Sequence, residues 1–304
     1  MEHLLSVWPD GAVRLRDARR VLLLTDYDGT LTPIVERPEL ANLSKETRRL
    51  LQALARQRHF TVGVISGRAL VDLKDKIGIN GIICAGNHGL EIEGPGIRFV
   101  NPMAEDLKPI IRILYYVLSR TLGIIRGVLV EHKGLGLSIH YRLVEGHQAK
   151  EVENIVHRVV GGAQANGKVR ITSGKKVYEV RPAITWDKGK AIKLLMKRYG
   201  KGGRRSGLVP LYLGDDLTDE DGFKVIENYG NGISVFVGEP NRYSAARYFL
   251  KSPAEVAVFL EILLAEAQAG FRRVQPLEIS KETLGDENSF CSHRSHPLVK
   301  VGGD

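Results

Sequence analysis

Val21-Leu22-Leu23-Leu24-Thr25 is a run of branched, mostly apolar residues that stops at two aspartates one residue apart, Asp26-Tyr27-Asp28-Gly29. An unbroken apolar run closed by polar turn residues marks a strand covered on both faces, and such strands lie at the centre of parallel sheets flanked by helices. Ligands of these sheets bind beyond the carboxyl ends of the strands, so Asp26 and Asp28 stand where chemistry is expected. In extended chain, residues two apart face the same side, and Gly29 lets the backbone turn sharply after them. Two convergent carboxylates repel unless a cation or a proton intervenes. Alone, the motif reads equally as a solvated turn. An EF-hand loop does not fit, because Leu31 stands where that loop requires glycine.

The following residues repeat the pattern. Ser44 is placed to cap a helix carrying Leu43, Thr47, Leu50, Leu51 and Leu54, and Phe60 to Ile65 is a strand ending at Ser66-Gly67-Arg68. Leu70, Leu73 and Ile77 mark a helix stopped by Gly78, Gly81 to Ala85 is a third strand ending at Gly86-Asn87-His88-Gly89, and a hairpin turns at Gly94-Pro95-Gly96. Alternating strand and helix implies a parallel α/β sheet. The rhythm then changes to helix-strand-strand twice over, with helical spacing at Leu107 to Leu118 and Val152 to Val159, and strand-like runs at 127–133, 137–142, 168–172 and 176–180. That is an inserted α+β layer. The parallel pattern resumes at Asp187, with Leu208 to Leu213 ending in Gly214-Asp215-Asp216, a strand at Ile233 to Val237, and a closing helix from Pro253. The expected division is a leader of unreadable order over 1–20, a core of 21–104 and 187–269, a cap of 105–186, and a weakly ordered tail over 270–304.

Composition narrows the partners. The 304 residues carry 44 basic and 35 acidic side chains, a net charge of +9 that favours acidic ligands. The densest basic run, from Lys188 to Arg205, holds a single aromatic residue, Tyr199, rather than the interleaved aromatics of a nucleic-acid surface, and reads as a solvated helix face, so no nucleic-acid partner is expected. Cys84 and Cys291 are isolated, which fits a reducing, cytoplasmic setting, and no apolar segment is long enough to suggest a membrane.

Strand ends now supply Asp26 and Asp28, Ser66, and Asp215 with Asp216 and Asp219, with Lys188 opening the helix before the last group. Phosphoryl transfer through a covalent intermediate needs a nucleophile, an acid for the leaving alkoxide, and cations to offset charge on the phosphoryl oxygens. Asp26 fits the nucleophile and Asp28 the proton shuttle. Ser66 and the backbone at Gly67 fit the phosphoryl donors, and Lys188 the fixed positive charge. Asp26, Asp215 and the carbonyl of Asp28 form a ligand set for Mg2+. Each group read singly is an ordinary turn or surface residue; it is their order at strand ends that points to one site.

This arrangement resembles the haloacid-dehalogenase superfamily of phosphotransferases, and more narrowly the trehalose-6-phosphate phosphatases. The resemblance rests on Asp-Tyr-Asp-Gly-Thr-Leu-Thr-Pro-Ile, Ile-Ser-Gly-Arg at 65–68, Gly-Asn-His-Gly-Leu-Glu at 86–91, Glu-His-Lys at 131–133, His-Tyr-Arg at 140–142, Glu-Val-Arg-Pro at 179–182 and Gly-Asp-Asp-Leu-Thr-Asp-Glu-Asp at 214–221. It implies a Rossmann-like core of the haloacid-dehalogenase type, a mobile cap closing over the sugar, Mg2+ as cofactor, and functional coupling to a trehalose-phosphate synthase. The substrate-binding positions it implies are Gly67, Arg68, Asn87, His88 and Glu91 from the core and Glu131, Lys133, Arg142 and Glu179 from the cap. Thr30, Asp216 and Asp219 would support the metal loop. Related phosphatases acting on sucrose phosphate or mannosyl-phosphoglycerate share the core motifs, and a sugar-phosphate sensor without turnover is a further reading.

Overall fold

Val21, Leu22, Leu23 and Leu24 are all fully buried, and alternate members face opposite sides of the sheet. That is why the run has no polar interruption: each such side chain contributes about 1.5–3 kcal/mol by leaving water. The computed structural model describes residues 1–16, 18–174, 176–200, 207–240 and 243–270. Residues 271–304, which hold nearly all of the expected tail, lie outside them, as do Lys201, Arg204 and Arg205 of the basic run.

Residues 2–16 form a short strand, β1 (Glu2–His3), and a helix, α1 (Leu4–Arg16). Leu4, Trp8, Ala12 and Leu15 recur at intervals of three and four and are buried. Pro9 and Gly11 hide that spacing in the sequence. Next come β2 (Arg20–Thr25), α2 (Lys45–Ala55), β3 (Phe60–Ile65), α3 (Leu70–Ile77), β4 (Ile83–Gly86), and a hairpin of β5 (Glu91–Gly94) and β6 (Ile97–Val100). Ser44 caps α2 by accepting from the Thr47 amide at 2.9 Å, and Gly78 closes α3 in the left-handed region.

A short helix α4 (Pro102–Glu105) leads into α5 (Lys108–Leu122), β7 (Leu129–His132), β8 (Leu137–His140), α6 (Ala149–Ala165), β9 (Val169–Gly174) and β10 (Val177–Pro182). The chain then gives α7 (Lys188–Tyr199), β11 (Leu208–Gly214), α8 (Glu220–Tyr229), β12 (Ile233–Val237), β13 (Tyr248–Leu250) and α9 (Pro253–Gln268).

The larger sheet runs β1-β13-β12-β11-β2-β3-β4-β5-β6, parallel from β1 to β4 and antiparallel through the hairpin. Helices α1, α2, α3 and α9 cover one face, while α7 and α8 cover the other. Strand β2 is the switch point: β3 follows on one side and β11 returns on the other, which opens a crevice at its carboxyl end. The separate antiparallel sheet, β7-β8-β10-β9, packs one face on α5 and α6 through Leu137, Ile139, Tyr178, Val180 and Val169. Period-two alternation turns the intervening residues, the row Glu131, Ser138, Glu179 and Thr172, to the other face. The architecture is α/β with a second α+β layer, as a capped haloacid-dehalogenase fold requires.

Candidate active site

The three strand ends that meet at the crevice each carry a polar group. The Asp26 amide donates to the Leu213 carbonyl at 2.8 Å, which ties the end of β2 to β11, and the Ser66 amide donates to Ala85 at 2.9 Å, which ties β3 to β4. Beyond Asp28 the chain turns through Gly29 at φ 87°, and a β-carbon there would overlap the Asp215 carboxylate. Thr30 Oγ1 donates to Asp215 Oδ1 at 3.2 Å. The Asp-Gly-Thr sequence thus places Asp215 beside Asp26 as well as turning the chain.

Lys188, at the first position of α7, is 2% exposed and donates to Asp26 Oδ1 at 2.8 Å and to Asp219 Oδ1 at 2.7 Å. Asp219 is fully buried and also accepts from the Tyr212 hydroxyl and from the amides of Asp215 and Asp216 at 3.0 and 3.1 Å. Burial pulls the Lys188 ammonium toward its neutral form, yet Asp219 and Asp26 outweigh it and hold the charge. Burial pushes Asp26 well above the usual carboxylate range despite Lys188, and burial together with Asp219 and Asp216 lifts Asp215 to about 7. Oxygens of Asp26, Asp215 and Asp219 lie within 4.8 Å of one another, a cluster that gains from a further cation.

Asp28 departs from this cluster. Its carboxylate is gripped by Arg68, with Nε on Oδ2 at 2.7 Å and Nη2 on Oδ1 at 2.6 Å. The Ser66 hydroxyl accepts from the Arg68 amide at 3.2 Å, which folds the Ser-Gly-Arg turn, and Gly67 has no room for a side chain because the His88 ring lies against it.

A cleft of about 640 Å³ opens over these groups and is walled on the far side by the polar face of the smaller sheet. Asp26, Asp28, Ser66, Gly67, Arg68, His88, Lys188 and Asp216 line it from the core. Lys133, Glu179 and Arg181 line it from the cap; Lys133 Nζ lies 3.5 Å from Glu179 Oε1, and Arg181 donates to the other oxygen of Glu179. Asn87 and His88 both adopt left-handed backbone, at φ 50° and 56°. Both ring nitrogens of His88 are sealed from solvent without a hydrogen-bond partner, and burial with nearby Arg181, Lys188 and Lys133 holds the ring neutral.

The remaining expected sugar ligands are engaged by other groups of the protein. Asn87 Nδ2 donates to Glu91 Oε2 and to the Lys133 carbonyl, both at 2.8 Å, so Asn87 and Glu91 buttress the cap loop. Glu131 is paired with His140 Nε2 at 3.0 Å; that contact and Lys133 keep its carboxyl below the usual range against the effect of burial. Arg142 donates to the Glu36 carbonyl at 2.8 Å and lines a neighbouring cavity of about 530 Å³ behind the 35–40 segment. Sequence reading did not single out Arg181 or Tyr212 for the site. Arg181 shares its strand face with Glu179, whereas Tyr212 sits inside an apolar run and gives no signal of its role.

A family model described as trehalose-phosphatase matches residues 24–254, which include every expected site residue. The chain belongs to the trehalose-phosphatase family. Among relatives of this trehalose-phosphatase chain, "Probable trehalose-phosphate phosphatase 3" of Oryza sativa subsp. japonica is 36% identical over 272 residues, covering 84% of this chain and 73% of the relative. The trehalose-phosphate phosphatase of Mycobacterium tuberculosis is 38% identical over 248 residues, 81% of this chain and 62% of the relative. Of solved structures, the C-terminal domain of Candida albicans trehalose-6-phosphate phosphatase superposes with a TM-score of 0.67 at 26% identity, over 84% of this chain and 96% of that one. The Aspergillus fumigatus trehalose-6-phosphate phosphatase gives 0.57 at 29%, with the same coverage. A haloacid dehalogenase-like hydrolase from Bacteroides thetaiotaomicron, at 18% identity and a TM-score of 0.57, shares the fold. A phosphatase of phosphate monoesters is thus the class to which the trehalose-phosphatase site belongs.

Proposed function

We propose that the chain hydrolyses trehalose 6-phosphate to trehalose and phosphate through an aspartyl phosphate on Asp26. The observation that carries this reading is a buried Asp26 held at 2.8 Å by a buried Lys188, at a parallel-sheet switch point. Asp26 attacks phosphorus, the bond to the sugar oxygen breaks, and Asp28 gives that oxygen a proton; Asp28 then takes a proton from the water that attacks the acyl phosphate. Lys188, the Ser66 hydroxyl and the Gly67 amide face the phosphoryl oxygens and offset their charge.

The donor set fits a hard divalent cation. Asp219 already serves Lys188, Tyr212 and two amides, so Asp26, Asp215 and the Asp28 carbonyl are the groups that would hold Mg2+. When bound, Mg2+ supplies Lewis-acid stabilisation of negative charge on the phosphoryl group. Residues 105–186 form the substrate cap on this reading. Its Lys133 and Glu179 address sugar hydroxyls, which a site built of buried polar groups discriminates strongly. Among the described residues no helix is long and apolar enough to cross a membrane, and a cytoplasmic enzyme coupled to a trehalose-phosphate synthase is the setting we propose.

Phosphate release from trehalose 6-phosphate, sucrose 6-phosphate, glucose 6-phosphate and mannosyl-phosphoglycerate, with Mg2+ and with EDTA, tests it. Preference for trehalose 6-phosphate that is lost on chelation is the expected result. Mg2+-dependent preference for another member would overturn the cap assignment, and no release from any would overturn the enzymatic reading.

A further inference from the structure

Arg68, one of the residues to which the family resemblance gives a role at the substrate, has little left to offer a substrate. Its Nε and Nη2 hold Asp28, Nη2 also donates to the Pro38 carbonyl at 2.8 Å, and Nη1 donates to Asp72 Oδ2 at 2.8 Å. Four of its five N–H groups are therefore used within the protein. The side chain is only 8% exposed and its guanidinium carbon lies 5.1 Å from the centre of the Tyr27 ring, so it is clamped from above as well as along its edges.

Asp72 lies in the first turn of α3, four residues beyond Arg68, and is absent from the lining of the cleft. Its carboxylate reaches the reaction only through Arg68. A guanidinium is planar, so anchoring Nη1 at Asp72 and Nη2 at Pro38 leaves one plane for the fork that meets Asp28. Once protonated, Asp28 retains one oxygen as acceptor toward that fork, and its hydroxyl is the donor left for the cleft.

We propose that Asp72 is a positioning residue for protonation of the leaving group: it fixes the Arg68 fork, and the fork fixes Asp28. This rests on the reading of Asp28 as the proton shuttle. A sugar alkoxide needs a proton to depart, whereas the phenolate of p-nitrophenyl phosphate leaves without one. A residue that acts through Asp28 must therefore matter for the first substrate and not for the second.

The experiment measures the first-turnover rate of the Mg2+-loaded full chain by rapid mixing with each substrate. For Asp72→Asn the expected result is a fall of about tenfold with trehalose 6-phosphate, KM unchanged, and a nitrophenolate burst within about twofold of the parent. Asp72→Glu, whose longer carboxylate still reaches Arg68, restores the sugar-phosphate rate. Asp28→Asn serves as the reference and slows the sugar phosphate by about 10²-fold or more, selectively. If Asp28→Asn is selective but Asp72→Asn slows both substrates equally, or neither, the positioning role is wrong. If Asp28→Asn is itself unselective, the shuttle reading fails, and the positioning role falls with it.

Discussion

A β-carbon on Gly29 would sit 2.0 Å from Oδ2 of Asp215, so the turn that ends β2 and the acid that ends β11 are fitted to each other. Gly29 also holds φ at 87°, which side-chain-bearing residues rarely adopt. Gly29→Ala is expected to cost about 1–3 kcal/mol in thermal unfolding from backbone strain. The displaced Asp215 should lower phosphate release about 10²-fold or more. Parent-like turnover in this variant would mean that Asp215 tolerates displacement.

Burial opposes a charge on Asp26, and Lys188 keeps a second acidic partner in Asp219. Asp26→Asn should therefore leave the melting temperature equal to or above that of the parent. Turnover should fall to about 10⁻⁴ or less, as for removal of other nucleophiles. Substantial Mg2+-dependent activity in the variant would rule out the aspartyl phosphate.

Asp219 is the fully buried partner of a buried ammonium. Removing it leaves Lys188 with Asp26 alone and deprives the Tyr212 hydroxyl and the Asp215 and Asp216 amides of their acceptor, so Asp219→Ala is expected to lose about 3–5 kcal/mol in denaturant unfolding. A loss well below this range would show that Asp26 alone satisfies Lys188.

Lys133 and Glu179 face the cleft, whereas Arg142 is engaged by the Glu36 carbonyl. Lys133→Ala should lower kcat/KM for trehalose 6-phosphate about 10–100-fold, the worth of a hydrogen bond to a charged group, with little change for p-nitrophenyl phosphate. Arg142→Ala should cost less. The reverse order would place the distal sugar against the 35–40 segment.

Burial pushes the Cys84 thiol from 9.0 up to about 11. In a Cys291→Ser background, a disulfide reagent at pH 8 should react with Cys84 only after unfolding. The sign of the linkage follows: the folded state holds this proton more tightly, so the contribution to stability is present below pH 9.0 and fades as pH rises through about 11. Denaturation from pH 8 to 11 should show a steeper loss in that background than in one where Cys84 is replaced by alanine.

Local chemistry determined much of this protein. The run Val21 to Leu24, the caps at Ser44 and Gly78, and the polar turns after β2, β3 and β11 are legible because strand burial, capping and turn residues act over a few positions. The order of those turns, together with the longer motifs, was enough to assign the family. Tertiary structure alone decided how the charges are shared. Asp219, seen in sequence as part of a loop, became the anchor of Lys188 because α8 and β11 bring it beneath the ammonium. Arg68 meets Asp28, Asp72 and the Pro38 carbonyl, the last thirty residues away in the chain. Helix α1 stayed hidden behind Pro9 and Gly11, since its stability comes from burying Leu4, Trp8, Ala12 and Leu15 in the core rather than from helix propensity. Glu131 and Arg142, which resemblance sends to the sugar, are engaged by His140 and by the Glu36 carbonyl. Spacing along a chain sets which face a side chain takes; which of several oppositely charged partners it meets depends on distances that only the packed sheet and cap impose.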